Sequence, residues 1–480
     1  MSTTIINKPE EVINNNFSTV SKWNATHHPI KFGLKREDYE VSVVTLGGLG
    51  APLEVTITSG LTGNASDFFT PGKFIYLFIG LGANPGSGNF EILSITDPNT
   101  IILLNPDFLV LGGTGYINDL ERANFFIKTD VYDKSSGTNV FVQSSINKPD
   151  ATGFIEVDVS SFLKSLVGYI DEYNYVSINK KDLTLGGIFN IEFNENWVGN
   201  TGSINVPGED FYFTNSSKQI GDRYGSNMGA YVPFQNYTTG DRAKFMTDFK
   251  IPTHFPNFPH SLTFINGDEM TGFPRIFQEN FDLNKNFVSG SNTALDISAN
   301  AKPFVNRLLI DITDPTIKFS DFFINAFPVQ VTESLRMKVD HECKDFPIYL
   351  TWLNSVGGYD YWLFFKKNKY KIQTKLENSH VKNIENLETA IGNIDISGKG
   401  IQPQIDFGAR VRAEDMDGMA GLFGSPKVLY LTNPEGWQLE GPKWNRVIIK
   451  PGSLLVSESN FEFLEIKMSM LLPTLNTQKE

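Results

Sequence analysis

YLTWLNSVGGYDYWLFFKK, residues 349–367, decides how this chain is read. It carries Tyr349, Trp352, Tyr359, Tyr361, Trp362, Phe364 and Phe365, split by Gly357 and Gly358. Read as a hairpin, Ser355–Gly358 is the turn. The first strand places Ile348, Leu350, Trp352 and Asn354 on one face and Tyr349, Thr351 and Leu353 on the other, because side chains alternate along a strand. The second places Tyr359, Tyr361, Leu363 and Phe365 opposite Asp360, Trp362, Phe364 and Lys366. Both strands are apolar on both faces, so both faces need cover from a second sheet or a neighbouring subunit. A sugar-binding platform shows aromatics on one face, with polar groups around them. The stretch therefore reads as core plus interface.

The surrounding composition suits that reading. The chain has 480 residues, 39 of them Phe, and Phe favours strands. A chain this long builds a core without metal or disulfide. The single cysteine, Cys343, permits no internal disulfide and no cysteine-based zinc site, which fits a reducing cytoplasm. MSTTIINKPEEVINNN has neither a basic nor an apolar region, so no signal peptide is expected. No apolar run is long enough for a membrane helix. A net charge of −13 argues against general nucleic-acid binding.

Outward from the hairpin, strand patterns dominate and no long amphipathic helix emerges. Residues 1–29 read as an extended arm, ordered by neighbours. Residues 30–195 read as a β-sandwich domain. Inserted in it, at about 46–118, five short strands with GANPGSG and DPN turns form a small SH3-like barrel. The strand IKFGLKRED is expected to pair with strands beyond residue 120, and FLKSLV to be a short helix capped by Ser160 or Ser161. Residues 196–330 read as a loop-rich β region, and 331–480 as a C-terminal antiparallel β domain with a less regular stretch at 378–425. The expected class is all-β (minor α): multi-domain antiparallel β-sandwiches with an inserted barrel.

Motifs for chemistry fall short of what their chemistry requires. GLGANPGSG, residues 80–88, follows a strand but precedes another strand, whereas a phosphate loop needs a helix N-terminus. His254 and His260 are six residues apart with prolines between, and read as turn or surface histidines. His341 and Cys343 share a strand face, with Cys343 read as a structural cysteine. Glu414, Asp415 and Asp417 before Gly418 resemble half a calcium loop, but Gly424 stands where the distal glutamate is needed, so a surface loop is expected. No catalytic residue, metal ligand or cofactor is assigned.

IYLTWLNSVGGYDYWLF, then SPKVLYLTNPEGWQLEGPKWNRVIIKPGSLLV and the terminal FEFLEIKMSMLLPTLNTQ, resemble virion proteins of tailed phages that infect Bacteroidetes-type bacteria. NFFIKTDVYD with GFIEVDVSSFLKSLV is similar to the N-terminal sandwich of such proteins, and SGNFEILSITDPNTIIL to barrel insertions in tail proteins. The resemblance covers the two ends of the chain. It implies a non-enzymatic structural subunit of a tail, baseplate or collar, forming a closed homo-oligomeric ring that contacts other virion proteins. It would be made in the host cytoplasm and located in the virion. A capsid-decoration protein, head fibre or receptor-binding adhesin is the first alternative, and a protein that binds or hydrolyses a host surface glycan the second. Interface aromatics are expected at Trp23, Tyr349, Trp352, Tyr359, Tyr361, Trp362, Trp437 and Trp444. Neither sequence-specific nucleic-acid binding nor membrane insertion is expected.

Overall fold

The computed structural model describes the chain except residues 1, 10, 13–19, 38, 46–51, 60–63, 68, 83–85, 105–111, 119–125, 151–153, 168–178, 197–204, 219–224, 234–241, 268–273, 296–303, 328, 342–346, 377–378, 382, 385, 390–391, 393, 397, 451–461 and 476–480. The chain is all-β with minor helix, as the strand patterning requires. It divides into two compact units in place of the four sequence regions expected. One comprises Met1–Pro9, Pro29–Phe162 and Phe189–Phe211; the other comprises Glu10–His28, Leu163–Ile188 and Tyr212–Glu480. The regions 196–330 and 331–480 were separated on composition, yet most of both lies in the second unit. Their apolar residues share one core there, which composition does not reveal.

In the first unit, Lys31–Glu37 pairs antiparallel with Phe154–Asp158, the partnership expected across the insertion. On its other side it pairs with Ser2–Asn7. The described part of the N-terminal arm is thus tied down by its own chain, not by a neighbour. Phe126–Asp133 pairs with Val140–Asn147 and with the strand containing Phe189–Asn196. Phe32 lies 5.3 Å from Phe193 and 5.1 Å from Phe211, ring centre to ring centre, joining the two sheets as a sandwich.

The inserted barrel has six strands, not five, and begins at Tyr39. Val41 and Val43 alternate inward with Leu53, Val55 and Ile57, so the VSVV stretch is a barrel stave. Thr100–Leu103 pairs with both Leu53–Ser59 and Gly86–Asp97, which closes the ring. Closure removes the free edges that a small sheet otherwise exposes. Phe74–Gly82 and Gly86–Asp97 pair as the expected hairpin, while residues 83–85 of its glycine-rich turn lie outside the described residues.

In the second unit, a seven-stranded sheet begins with Tyr359–Phe364 and Ile348–Leu353 and ends with Lys399–Arg412 and Lys366–Leu376. Its first and last strands are consecutive in the chain, separated only by Phe365. The sheet therefore curls until its ends meet, and Phe364 touches Phe407 edge-on at 4.9 Å. The resulting half-barrel encloses Trp352, Trp362, Phe407 and Met470, and is plugged by Phe249 and by Met416, Met419 and Leu422 of the helix Met416–Gly424. The stretch expected to be irregular at 378–425 thus contains the fourteen-residue strand Lys399–Arg412 and this helix. Glu414–Gly418, expected as a loop, is a helical turn leading into it. Asp415 is buried there, and burial followed by the charge of Glu414 pushes it up to about 6.

Candidate functional site: the aromatic hairpin and the adjoining edge strand

The hairpin forms as its sequence dictates. Ile348–Leu353 and Tyr359–Phe364 pair from Ile348–Phe364 to Leu353–Tyr359. Asn354 closes the turn through its amide to the carbonyl of Gly358 at 2.9 Å, and its side-chain oxygen accepts from the Gly358 amide at 2.7 Å. Gly357 adopts φ +83°, a conformation that suits glycine. Any Cβ at Gly358 would lie 2.0 Å from the Met246 carbonyl oxygen, so close backbone approach demands glycine there too.

All twelve strand residues are buried. Ile348, Leu350, Trp352, Trp362 and Phe364 face the half-barrel core. Tyr349, Leu353, Tyr359, Tyr361 and Leu363 face a second cluster that includes Trp23, Met246, Phe255 and Val305. Both covers come from this chain. Six of the aromatics expected at an interface, Trp23, Tyr349, Trp352, Tyr359, Tyr361 and Trp362, are therefore interior residues. Trp437 and Trp444 are half-buried. The Trp437 indole N–H donates to the Asn257 carbonyl at 2.6 Å, and the Trp444 ring lies 6.1 Å from that of Tyr349.

Polar groups beneath the hairpin are held as tightly. Arg307 donates from Nη1 to Asp182 at 3.1 Å, from Nε to Ser261 Oγ at 3.0 Å and from Nη2 to the Tyr361 hydroxyl at 2.9 Å. His260 lies against the Tyr361 ring at 4.5 Å, and His254 lies 5.6 Å from His260. These histidines, expected in turns or at the surface, begin or lie in strands and are buried. Burial holds His254 down to about 3. Burial first, then the charges of His254 and Arg307, hold His260 well below its ordinary range. No group of three metal-binding side chains occurs among the described residues. His341 contacts the Ile317 carbonyl at 2.9 Å; Glu342 and Cys343 lie outside the described residues.

Asp360 is the one acid inside the hairpin. Its carboxylate accepts from the Thr247 hydroxyl at 2.6 Å and the Asp248 amide at 3.0 Å. Burial, then the nearby Asp248 charge, pushes it up to about 8 despite these hydrogen bonds. The adjoining cavity, lined by His260, Ser261, Thr263, Asp360 and Tyr361 among others, holds about 10 Å³, the room of one water. Nothing of substrate size fits beside this carboxyl.

Beyond Phe365 the character reverses. Lys366–Leu376 is an edge strand paired only with Lys399–Arg412 among the described residues. Tyr370, Ile372 and Leu376 alternate with Lys369, Lys371 and Lys375, and all are exposed. Tyr370 stands opposite Ile405 and Ile372 opposite Pro403, so the core-facing side of the sheet continues onto this strand without cover. The opposite face is polar. Asp406 is held below the ordinary carboxylate range by Lys371 first, then by Ser469 and Gln404. This edge was missed in the sequence because KKNKYKIQTKL was read as a continuation of the aromatic strand.

Among known proteins, no family model and no curated protein matches the chain.

Proposed function

We propose that the protein is a non-enzymatic structural subunit of a tailed-phage virion. It belongs to the tail, baseplate or collar, self-associates into a closed ring, and joins neighbouring virion proteins. The observation that carries the assembly role is the division of apolar residues. The aromatic hairpin is committed to the interior, while the side chains of Tyr370, Ile372 and Leu376 stand in solvent on an unpaired edge. Exposed apolar residues grouped on an edge strand mark an association surface. The assignment to a virion rests on the resemblance of the hairpin and the C-terminal strands. The glycan-binding alternative draws less support, because it required the hairpin aromatics on an open face.

The test is the composition of purified phage particles from a culture infected by the phage that encodes this chain. Mass spectrometry should find the chain in stoichiometric amount, and antibody labelling in negative stain should mark a ring on the tail, baseplate or collar. Labelling confined to the capsid surface or to fibre tips would replace this reading with the decoration or adhesin alternative.

A further inference from the structure

Two stretches of pairing that look separate share one register. Lys369–Asp406 through Leu376–Lys399 are paired one for one, and Ser379–Ile396 through Val381–Ile394 are paired one for one. Three steps beyond Leu376–Lys399 falls on Ser379–Ile396, so the second stretch prolongs the first. The root is anchored in the half-barrel through Gln404–Arg412, which pairs with Phe463–Leu471. Further out, Ser379–Val381 and Ile394–Ile396 have only each other among the described residues.

Such a two-stranded ribbon is marginal in water. It is also apolar in a way that solvent does not favour. Tyr370, Ile372 and Leu376 lie on one face, whereas Val381 and Ile394 form a directly opposed pair on the other. These five, with Leu387 in the connecting turn, are between 52% and 84% exposed. Lysines on an edge strand serve to block aggregation, and Lys369, Lys371 and Lys375 have that simple explanation. It does not extend to apolar side chains on both faces, the pattern of a ribbon covered on both sides.

Charge selects the cover. Residues 366–376 hold five lysines and no acid, in a chain whose net charge is −13, so the remainder is more acidic than the whole. The surface that complements this strand is an acidic one, and the chain itself supplies it. We infer that the arm, Lys369–Val381 with Ile394–Asp406, docks on a second copy of this chain. It inserts its apolar faces into the neighbour and sets its lysines against the neighbour's acidic surface. The inference rests on the ring-forming reading above and names the element that makes the ring contact.

The experiment compares the intact chain with the double variant Ile372→Glu/Leu376→Glu and with Lys369→Glu/Lys375→Glu, by light scattering and hydrogen exchange. All four positions are exposed, so both variants should melt at the wild-type temperature. The expected result is an assembled wild type with slowly exchanging amides at Ser379–Val381 and Ile394–Ile396. Both variants should shift to monomer and lose that protection. A wild type that assembles while both variants assemble equally well would overturn the arm contact and leave the structural reading standing. A monomeric wild type that binds other virion proteins would overturn the second copy as occupant, again leaving the structural reading. A wild type that associates with neither would remove both.

Discussion

Arg307 and Asp182, 125 residues apart in sequence, form an ion pair at 3.1 Å with both side chains buried. The same guanidinium reaches Ser261 and Tyr361, so one side chain ties the segment before residue 188, the strand His260–Asn266 and the aromatic hairpin together. Removing one partner of a buried pair costs about 3–5 kcal/mol, because the other charge stays buried. Arg307→Met should lower the urea midpoint accordingly. Arg307→Met with Asp182→Leu should recover much of the loss, since replacing both charges avoids the unpaired one. Equal midpoints for the single and double variants would contradict the pairing.

Acid should destabilise the second unit through its histidines. His254 and His260 titrate below the ordinary value when folded, so the unfolded state takes up protons first as pH falls below about 6.5. Their contribution is complete above that pH and is lost as pH falls toward about 3 for His254. Each contributes a slope of about 1.4 kcal/mol per pH unit. His254→Gln should reduce the measured slope by one proton's worth in a pH series of urea melts. An unchanged slope would mean that His254 is protonated in the fold.

Asp360 works in the opposite direction. Held up at about 8 in the fold, it keeps a proton that the unfolded chain has released above about 4. Its contribution is complete below that pH and declines as pH rises toward 8. Asp360→Asn should flatten the decline between neutral pH and pH 8, measured by thermal melting. A variant with the wild-type pH profile would place the shifted carboxyl elsewhere.

Gly418 lets the helix plug the half-barrel. A Cβ there would lie 2.4 Å from the Phe249 ring, which is stacked at 5.6 Å on Trp362 and has little freedom to give way. Gly418→Ala should cost about 1–3 kcal/mol by overpacking. Gly424→Ala, on the same helix with nothing within 4 Å, should be neutral or slightly stabilising. Paired melting curves check both, and equal curves would show that the helix shifts freely.

The hairpin was legible because its cause is local: period-two alternation and a Gly-Gly turn fix Ile348–Leu353 and Tyr359–Phe364, and strands apolar on both faces announce burial. Which surface buries them is not local. Trp352 meets Met416, Met419 and Leu422, and Tyr349 meets Phe255, through closure of a sheet whose strand order does not follow the chain. The Arg307 cluster has no sequence signature, since its members come from four separate segments. The break at Phe365 was hidden because an unbroken run of strand-forming residues spans two opposite edges of one sheet. With that break unseen, the lysine-alternating strand beyond it was merged into the core, and the exposed edge went with it.

The account's central claim is that this chain assembles. The most direct measurement is the mass of the purified protein by light scattering across a wide concentration range, with negative-stain electron microscopy of the same samples. The account predicts closed rings of discrete mass, whose formation weakens with salt because lysines contribute to the contact. A compact monomer at every concentration, with or without the other virion proteins, would contradict it.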